Sequence, residues 1–544
     1  MNERPSLVIP LAGGCLVALL LVLWLVLKGW PTSPTGQASP AAAHAEKPAA
    51  KEATDLRSSG SGKEMLAYLQ SMLEKSNARS HEALLTFANT EAYERFLARA
   101  QREGLTVIGK IDGLLTVRVR YDSLVDLQTE IKGNMSDYAD IGANHIVNIP
   151  QTPAKDDRAA TTLVALGGNL RSFLGVTGDV SLWGQGVTIA VLDSGVVADT
   201  TFGQGRLHFL DVGLGTAPGS GTEDGHGTAV ASLAAGMSVD APGVAPSADI
   251  LSIRVTGPNG DSDIFTLSQA ILTAVDAGAQ IINISLGSYE TANLLINAIT
   301  YAEDHGVVIV ASAGNDQATQ LTWPAADSRV VSVGAVDALE QQATFSNAGP
   351  QLQITAPGCG VLTAWLGGQR IYFDGTSASA PIIAGAIAAI MSTSPGLTAS
   401  QAWEILKKYA DDVGQPGADS DFGNGVVNLG WAMARNDSTR IDTAISSTYY
   451  DGASETMEYV IQNRSGQSIN GMVLSVDVGG STTTFSVPLL APGASNVALF
   501  EVDQSQLALN GSLLFRAQLE NPDGVVDAVP ANNRRLSSLS APKK

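Results

Sequence analysis

The chain has 544 residues, enough for roughly three or four domains, and 44% of them are hydrophobic. With 6% aromatics, 16% charged residues and 56 glycines, the composition is that of a tightly packed globular protein and excludes a disordered or coiled-coil one. Lys and Arg total 32 against 53 Asp and Glu, a net charge of -21 that repels phosphate backbones and excludes nucleic acid as a partner. The two cysteines, Cys15 and Cys359, rule out a disulfide scaffold and a multi-cysteine zinc site.

The first element in chain order is an apolar run from Leu7 to Leu27 without a charged residue. At about 1.5 Å per residue it reaches about 31 Å as a helix, which matches the hydrocarbon core of a bilayer. Trp24 and Trp30 stand near its far end, where indoles favour the interface. A secretory signal has a shorter apolar region, about 7–15 residues, with a cleavage site close behind. Residues 1–30 therefore read as an uncleaved signal-anchor. Residues 31–62 are rich in Pro, Ala, Ser and Gly, lack an apolar period and read as a flexible tether.

Residues 63–150 read as a small α+β domain. Ala83–Phe87 is a strand candidate. Glu91–Arg102 places Tyr93, Phe96, Leu97 and Ala100 at helical spacing. Leu105–Ile108 and Leu114–Val119 read as a hairpin around Asp112-Gly113. Leu124–Ile131 is a second helix and His145–Ile149 a last strand. The order β-α-β-β-α-β is the ferredoxin-like pattern, which many functions share.

Residues 151–179 are a linker. Residues 180–435 alternate Val/Ile-rich strands (Val187–Leu192, Ile281–Ile284, Val307–Val310) with helical stretches, the mark of a parallel sheet buried on both faces. Residues 436–544 change to alternating strands such as Met472–Val476 separated by Gly, Asn and Ser turns, and read as a β-sandwich.

Three motifs in the α/β region carry chemistry. Asp193 ends a strand in Val191-Leu192-Asp193-Ser194-Gly195, at the edge where open parallel sheets bind ligands. His226 opens a helix in Asp224-Gly225-His226-Gly227-Thr228. Ser377 lies in Asp374-Gly375-Thr376-Ser377-Ala378-Ser379-Ala380-Pro381, at the N-terminus of a small-residue helix Ile382–Met391. Serine becomes a nucleophile when a base takes its proton. Histidine, with an unperturbed pKa of about 6.5, is that base, and an aspartate orients it. Asn315, in Ala311-Ser312-Ala313-Gly314-Asn315, offers an amide to a developing oxyanion, together with the Ser377 backbone N–H.

In this order and with these flanks, Asp193, His226 and Ser377 resemble the subtilisin-like (subtilase, S8-type) serine peptidases. Further blocks resemble the family as well. Ser285-Leu286-Gly287 is similar to its substrate-binding strand, and Ser312-Ala313-Gly314 stands with it as substrate-binding. Thr322-Trp323-Pro324-Ala325 resembles the specificity-pocket loop. Ala378 and Ala380-Pro381-Ile382 depart from the commoner Met and Ser-Pro-His without removing a catalytic group. The resemblance implies a subtilisin-like parallel sheet flanked by helices, preceded by a ferredoxin-like α+β prodomain and followed by a β-sandwich.

It further implies a serine endopeptidase acting on polypeptide substrates through an acyl-enzyme, with no required cofactor. Residues 63–150 would be a propeptide that acts as an intramolecular inhibitor, with the tail His145–Gln151 in the active site and self-cleavage within residues 150–170. The anchor and the resemblance place the catalytic domain outside the cytoplasm on a single membrane span, with release after processing. The alternative is a catalytically silent or single-partner processing or scaffold protein on the same fold. Asp419, Asp421 and Asn424 carry the hard oxygens that suit Ca2+, against the plainer reading of a solvated polar loop. Asp261 and Asp263 lie in Gly257–Ile264, a segment resembling the family's cleft-edge strand and loop, and suit basic side chains in a substrate. Cys359 and the other histidines read as packed or solvated residues.

Overall fold

The structure is a computed structural model that describes residues 70, 71, 73, 77–151, 163–217 and 225–541. The expected anchor, the tether and most of the expected cleavage region lie outside the described residues.

The N-terminal α+β segment follows from two amphipathic helices and alternating strands. Its strands are β1 (Ala78–Phe87), β2 (Leu105–Ile111), β3 (Thr116–Tyr121) and β4 (Tyr138–Asn148). Its helices are α1 (Thr90–Arg99) and α2 (Leu124–Gly133), capped by the side chains of Asn89 and Ser123. Phe87, Phe96, Leu105, Val117, Leu127 and Ile131 form their common core. The sheet is antiparallel in the order β2-β3-β1-β4. A fifth strand joins it from far along the chain, the three-residue β8 (Asp261–Asp263), antiparallel to β4.

The α/β region is built on seven parallel strands. They are β5 (Thr188–Asp193), β6 (Leu207–Leu210), β7 (Asp249–Arg254), β9 (Ile281–Ile284), β10 (Val308–Ser312), β11 (Val331–Val336) and β12 (Ile354–Pro357), in the order β12-β11-β10-β9-β5-β7-β6. Along β5, Ile189 and Val191 face one apolar core while Ala190 and Leu192 face another. Helices α3 (His226–Ala235) and α6 (Thr376–Thr393) cover the first face, and α4 (Ile264–Asp276) and α5 (Asn293–Asp304) the second. A hairpin of β13 (Val361–Ala364) and β14 (Arg370–Phe373) precedes α6. Each fully buried Leu or Ile here contributes about 1.5–3 kcal/mol, so burial on both faces makes this sheet a firm platform.

Helix α6 has the length and apolarity of a membrane span, but 83% of it is buried inside this core. Its small residues let α3 come close. A Cβ added at Gly385 would stand 2.7 Å from the Ala234 carbonyl oxygen. The helix starts at Thr376, earlier than the expected Ile382, and runs through Pro381. A proline has no N–H to give to the carbonyl four residues back. That carbonyl, of Ser377, accepts instead from the Ser285 hydroxyl at 3.3 Å.

Residues 438–541 form a separate compact unit. Strands β15 (Thr443–Asp451), β16 (Thr456–Asn463) and β19 (Ser495–Glu501) make one antiparallel sheet. Strands β17 (Val473–Val478), β18 (Ser481–Ser486), β20 (Ser512–Glu520) and β21 (Arg534–Ser540) make another. Met457, Tyr459 and Ile461 of the first and Leu474, Val476 and Phe515 of the second share one apolar cluster.

Candidate active site

The C-terminal ends of β5, β9 and β10 and the N-termini of α3 and α6 gather the residues singled out by the motifs. Asp193 is the last residue of β5 and is fully buried. His226 is the first residue of α3, with its Nδ1 2.8 and 3.0 Å from the two Asp193 carboxylate oxygens. An ionised carboxylate only accepts, so Nδ1 carries the proton and Nε2 is left as the basic nitrogen. The Ser194 N–H donates to the same carboxylate at 2.7 Å and fixes its direction. The ring of Phe373 meets the imidazole edge-on at 5.3 Å.

Ser377 is the second residue of α6 and is buried. Its backbone N–H belongs to the first turn, whose donors have no intrahelical acceptor. Its hydroxyl donates to the Ser285 carbonyl at 3.3 Å, and no hydrogen bond joins it to His226 in this state. Such contacts are often loose until a substrate is bound.

Asn315 follows β10. Its Oδ1 accepts from both the backbone N–H and the hydroxyl of Thr376, each at 2.9 Å. With Oδ1 so occupied, Nδ2 is the end presented outward, and it donates to the backbone carbonyl of Gln151 at 3.3 Å. Gly375 makes this possible. Its φ is +126°, and a Cβ there would stand 2.8 Å from Asn315 Nδ2.

The expected substrate-binding residues flank this point. Ser285 and Leu286 are buried just beyond β9, and Gly287 exchanges two backbone hydrogen bonds with Asn148, at 3.0 and 2.9 Å. Ser312 and Ala313 are fully buried, and Gly314 donates its N–H to the Thr376 hydroxyl at 3.2 Å. Ser288 pairs with Trp323 of the expected pocket loop. Asn148 is thus held between Gly287 on one side and β8 on the other, where it pairs with Asp261. The next N–H, of Ile149, donates to the Gly260 carbonyl at 3.2 Å. Strand β4 ends at Asn148, and the three residues that follow it bring the Gln151 carbonyl to Asn315.

Two contributors were not singled out beforehand. Thr376 holds the Asn315 amide, and its position in the Gly-Thr-Ser block was the available signal. Asn347, fully buried, accepts from the N–H groups of Asp316 and Ala318 and donates to the Ala313 carbonyl, so it braces the turn that carries Asn315. Away from the site, the Asp419 carboxylate accepts from the N–H groups of Gln415, Asp421 and Phe422, while Asn424 donates to the Gln353 carbonyl. Asp419 braces its own loop and Asn424 ties that loop to Gln353, and among the described residues no three His, Cys, Asp or Glu side chains gather as metal donors. Cys359 is buried.

The profile of the subtilase family (Peptidase_S8) matches residues 184–425. A thermostable alkaline protease of Halalkalibacterium halodurans is 34% identical over 254 residues, which cover 46% of this chain and 68% of the relative. Subtilisin BL of Lederbergia lenta is 34% identical over 250 residues, covering 45% and 90% respectively. Among solved structures, the epidermin leader peptide processing serine protease of Staphylococcus aureus superposes with a TM-score of 0.53 at 20% identity. It covers 65% of this chain and 97% of its own, a likeness of fold. The buried Asp–His pair, the serine at a helix N-terminus and these relatives converge, and the chain belongs to the subtilase family as a serine endopeptidase.

Proposed function

We propose that Ser377 is the nucleophile, His226 the general acid–base, Asp193 its orienting carboxylate and Asn315 an oxyanion donor. The Ser377 proton passes to His226 Nε2 as Oγ bonds to the substrate carbonyl carbon. The carbonyl oxygen takes the negative charge and is met by Asn315 Nδ2 and the Ser377 N–H. The C–N bond then breaks and His226 returns the proton to the leaving amine. Water repeats the sequence on the acyl-enzyme.

We further propose that the chain is made as a self-processed zymogen. Residues 63–150 act as a ferredoxin-like propeptide that inhibits in the manner of a substrate. The observation that carries this reading is the Gln151 carbonyl on the Asn315 amide, three residues beyond a strand whose last residue, Asn148, is paired on both sides. The N-terminal apolar run tethers the zymogen to a membrane, with the peptidase outside the cytoplasm. Residues 436–544 are an accessory sandwich.

The test combines two measurements. A fluorophosphonate probe labels the wild type and not Ser377→Ala. N-terminal sequencing finds the wild type cut within residues 150–170 and Ser377→Ala intact. Identical cutting of the variant disproves self-processing, and absence of labelling disproves the nucleophile. Removal of a nucleophile of this kind costs on the order of 10⁶-fold in kcat.

A further inference from the structure

Strand β8 is an unusual strand, Asp-Ser-Asp, with two carboxylates on one face. In antiparallel pairing, residues directly opposite one another share a face of the sheet. Asp263 is opposite Ile146 and Asp261 opposite Asn148, while Val147, between them, turns inward and is buried in the core. Both carboxylates are met by cations of the N-terminal segment. Arg79 stands 2.7 Å from Asp261 and 3.4 Å from Asp263, and Arg118 stands 3.2 Å from Asp263. Arg118 also pairs with Glu82, and its guanidinium lies over the Phe265 ring.

The Asp263 side chain is only 5% exposed. One of its oxygens caps α4 by accepting from the Thr266 N–H at 2.9 Å, and the other faces the two guanidinium groups. Leaving a carboxylate at so buried a position without its cations is costly. The region that remains when the N-terminal segment departs is poor in replacements, with 7 Lys and Arg against 23 Asp and Glu between residues 180 and 435. An incoming polypeptide that takes the place of β4 brings the next side chains to this face.

We infer that Asp261 and Asp263 select basic side chains at two alternate substrate positions, those now occupied by Asn148 and Ile146. Arg79 and Arg118 occupy the same acidic edge in the zymogen. The inference rests on the reading of His145–Gln151 as a substrate-like tail. These positions lie three and five residues before Gln151, whose carbonyl meets Asn315. The residue between them stays apolar because its side chain enters the core where Val147 now lies.

The test is cut-site mapping on a denatured protein library with activated full-chain enzyme, comparing wild type, Asp261→Asn/Asp263→Asn and Asp261→Lys. The wild type is expected to enrich Lys and Arg by about fivefold over Gln at two alternate positions upstream of the cut bond. The double variant is expected to lose that enrichment, and Asp261→Lys to turn the nearer position toward Glu and Asp. A salt series on the wild type is an independent measure, since partly exposed pairs weaken as the screening length falls from about 10 Å at 0.1 M to about 3 Å at 1 M. A wild-type profile without basic enrichment, or one that survives both the double substitution and high salt, overturns the inference. N-terminal sequencing of the same preparations separately reads whether the chain is cut near Gln151, so a failed tail reading is told apart from a failed charge reading.

Discussion

Asn315 presents its N–H₂ end to the Gln151 carbonyl because its oxygen is held twice by Thr376, through the backbone N–H and the hydroxyl. Valine at 376 keeps the shape and the N–H and removes the hydroxyl's bond to Asn315, together with the one that the hydroxyl accepts from the Gly314 N–H. A hydrogen bond of this kind contributes about 1–1.5 kcal/mol, so Thr376→Val is expected to lower kcat by about tenfold while KM stays within twofold. Asn315→Ala removes the donor itself and is expected to lower kcat by about 10²–10³. Thr376 acts through Asn315, so the double variant is expected to fall no further than Asn315→Ala alone. Steady-state kinetics on the four proteins decides it: additive losses exclude a positioning role for Thr376. Gly375 belongs to the same arrangement, since any side chain there would occupy the space of Asn315 Nδ2.

At the scale of elements, the loop between the helices Ala399–Lys408 and Leu429–Ala434 carries an ionisation set against folding. The Asp412 carboxyl is pushed up to about 6, chiefly by burial and further by the Asp419 carboxylate, with the Gly417 N–H pulling the other way. Its folded value lies above the unfolded value of about 3.9. Between about pH 4 and pH 6 the native state therefore holds the extra proton, and stability falls as pH rises through that window and stays lower above it. Asp412→Asn keeps an acceptor for Gly417 and removes the charge. It is expected to stabilise the peptidase region by about 1 kcal/mol at pH 8, a figure reduced for partial solvent access, and by nothing at pH 4. Thermal midpoints at the two pH values check this, and equal shifts at both refute it.

The same scale shows what could be read from the chain. The parallel sheet was legible because runs such as Val307–Val310 are apolar on both faces, and the Asp193, His226, Asn315 and Ser377 blocks were legible because each carries its own flanks. The start of α6 was not. The expected helix began at Ile382, after Pro381, and the carbonyl that the proline leaves without its N–H is met by the Ser285 hydroxyl, 92 residues away in the chain. Strand β8 was legible only through the resemblance of Gly257–Ile264 to the family's cleft-edge strand and loop, not through its own pattern. Asp-Ser-Asp has no apolar alternation, and it is extended because β4 and the arginines Arg79 and Arg118 lie across it.

At the scale of the whole molecule, the apolar run Leu7–Leu27 precedes the proposed propeptide, and the peptidase follows it. A cut within residues 150–170 therefore severs the peptidase from the proposed anchor. What remains is noncovalent: the packing of Leu84, Ile111, Val147 and Ile149 into the peptidase core, the β4–β8 pairing, the Asn148–Gly287 bridge, hydrogen bonds such as Asn77–Ser288 and Asn293–Asp140, and the pairs Arg79–Asp261 and Arg118–Asp263. The Arg79–Asp261 pair is partly exposed, with side chains 30% and 27% accessible, so salt screens it, while the backbone bonds are indifferent to salt. The wild-type peptidase, followed by an epitope at its C-terminal unit, is expected to divide between membrane and supernatant at low salt and to shift to the supernatant at about 1 M salt. Ser377→Ala, uncut, is expected to stay with the membrane at every salt concentration. Arg79→Ala in an otherwise wild-type chain is expected to reach the supernatant already at low salt. Fractionation with immunoblotting reads all three. A wild-type peptidase that stays in the membrane fraction at high salt although its N-terminus is cut sets aside the ion pairs as the tether, and equal partition of wild type and Ser377→Ala sets aside release by processing.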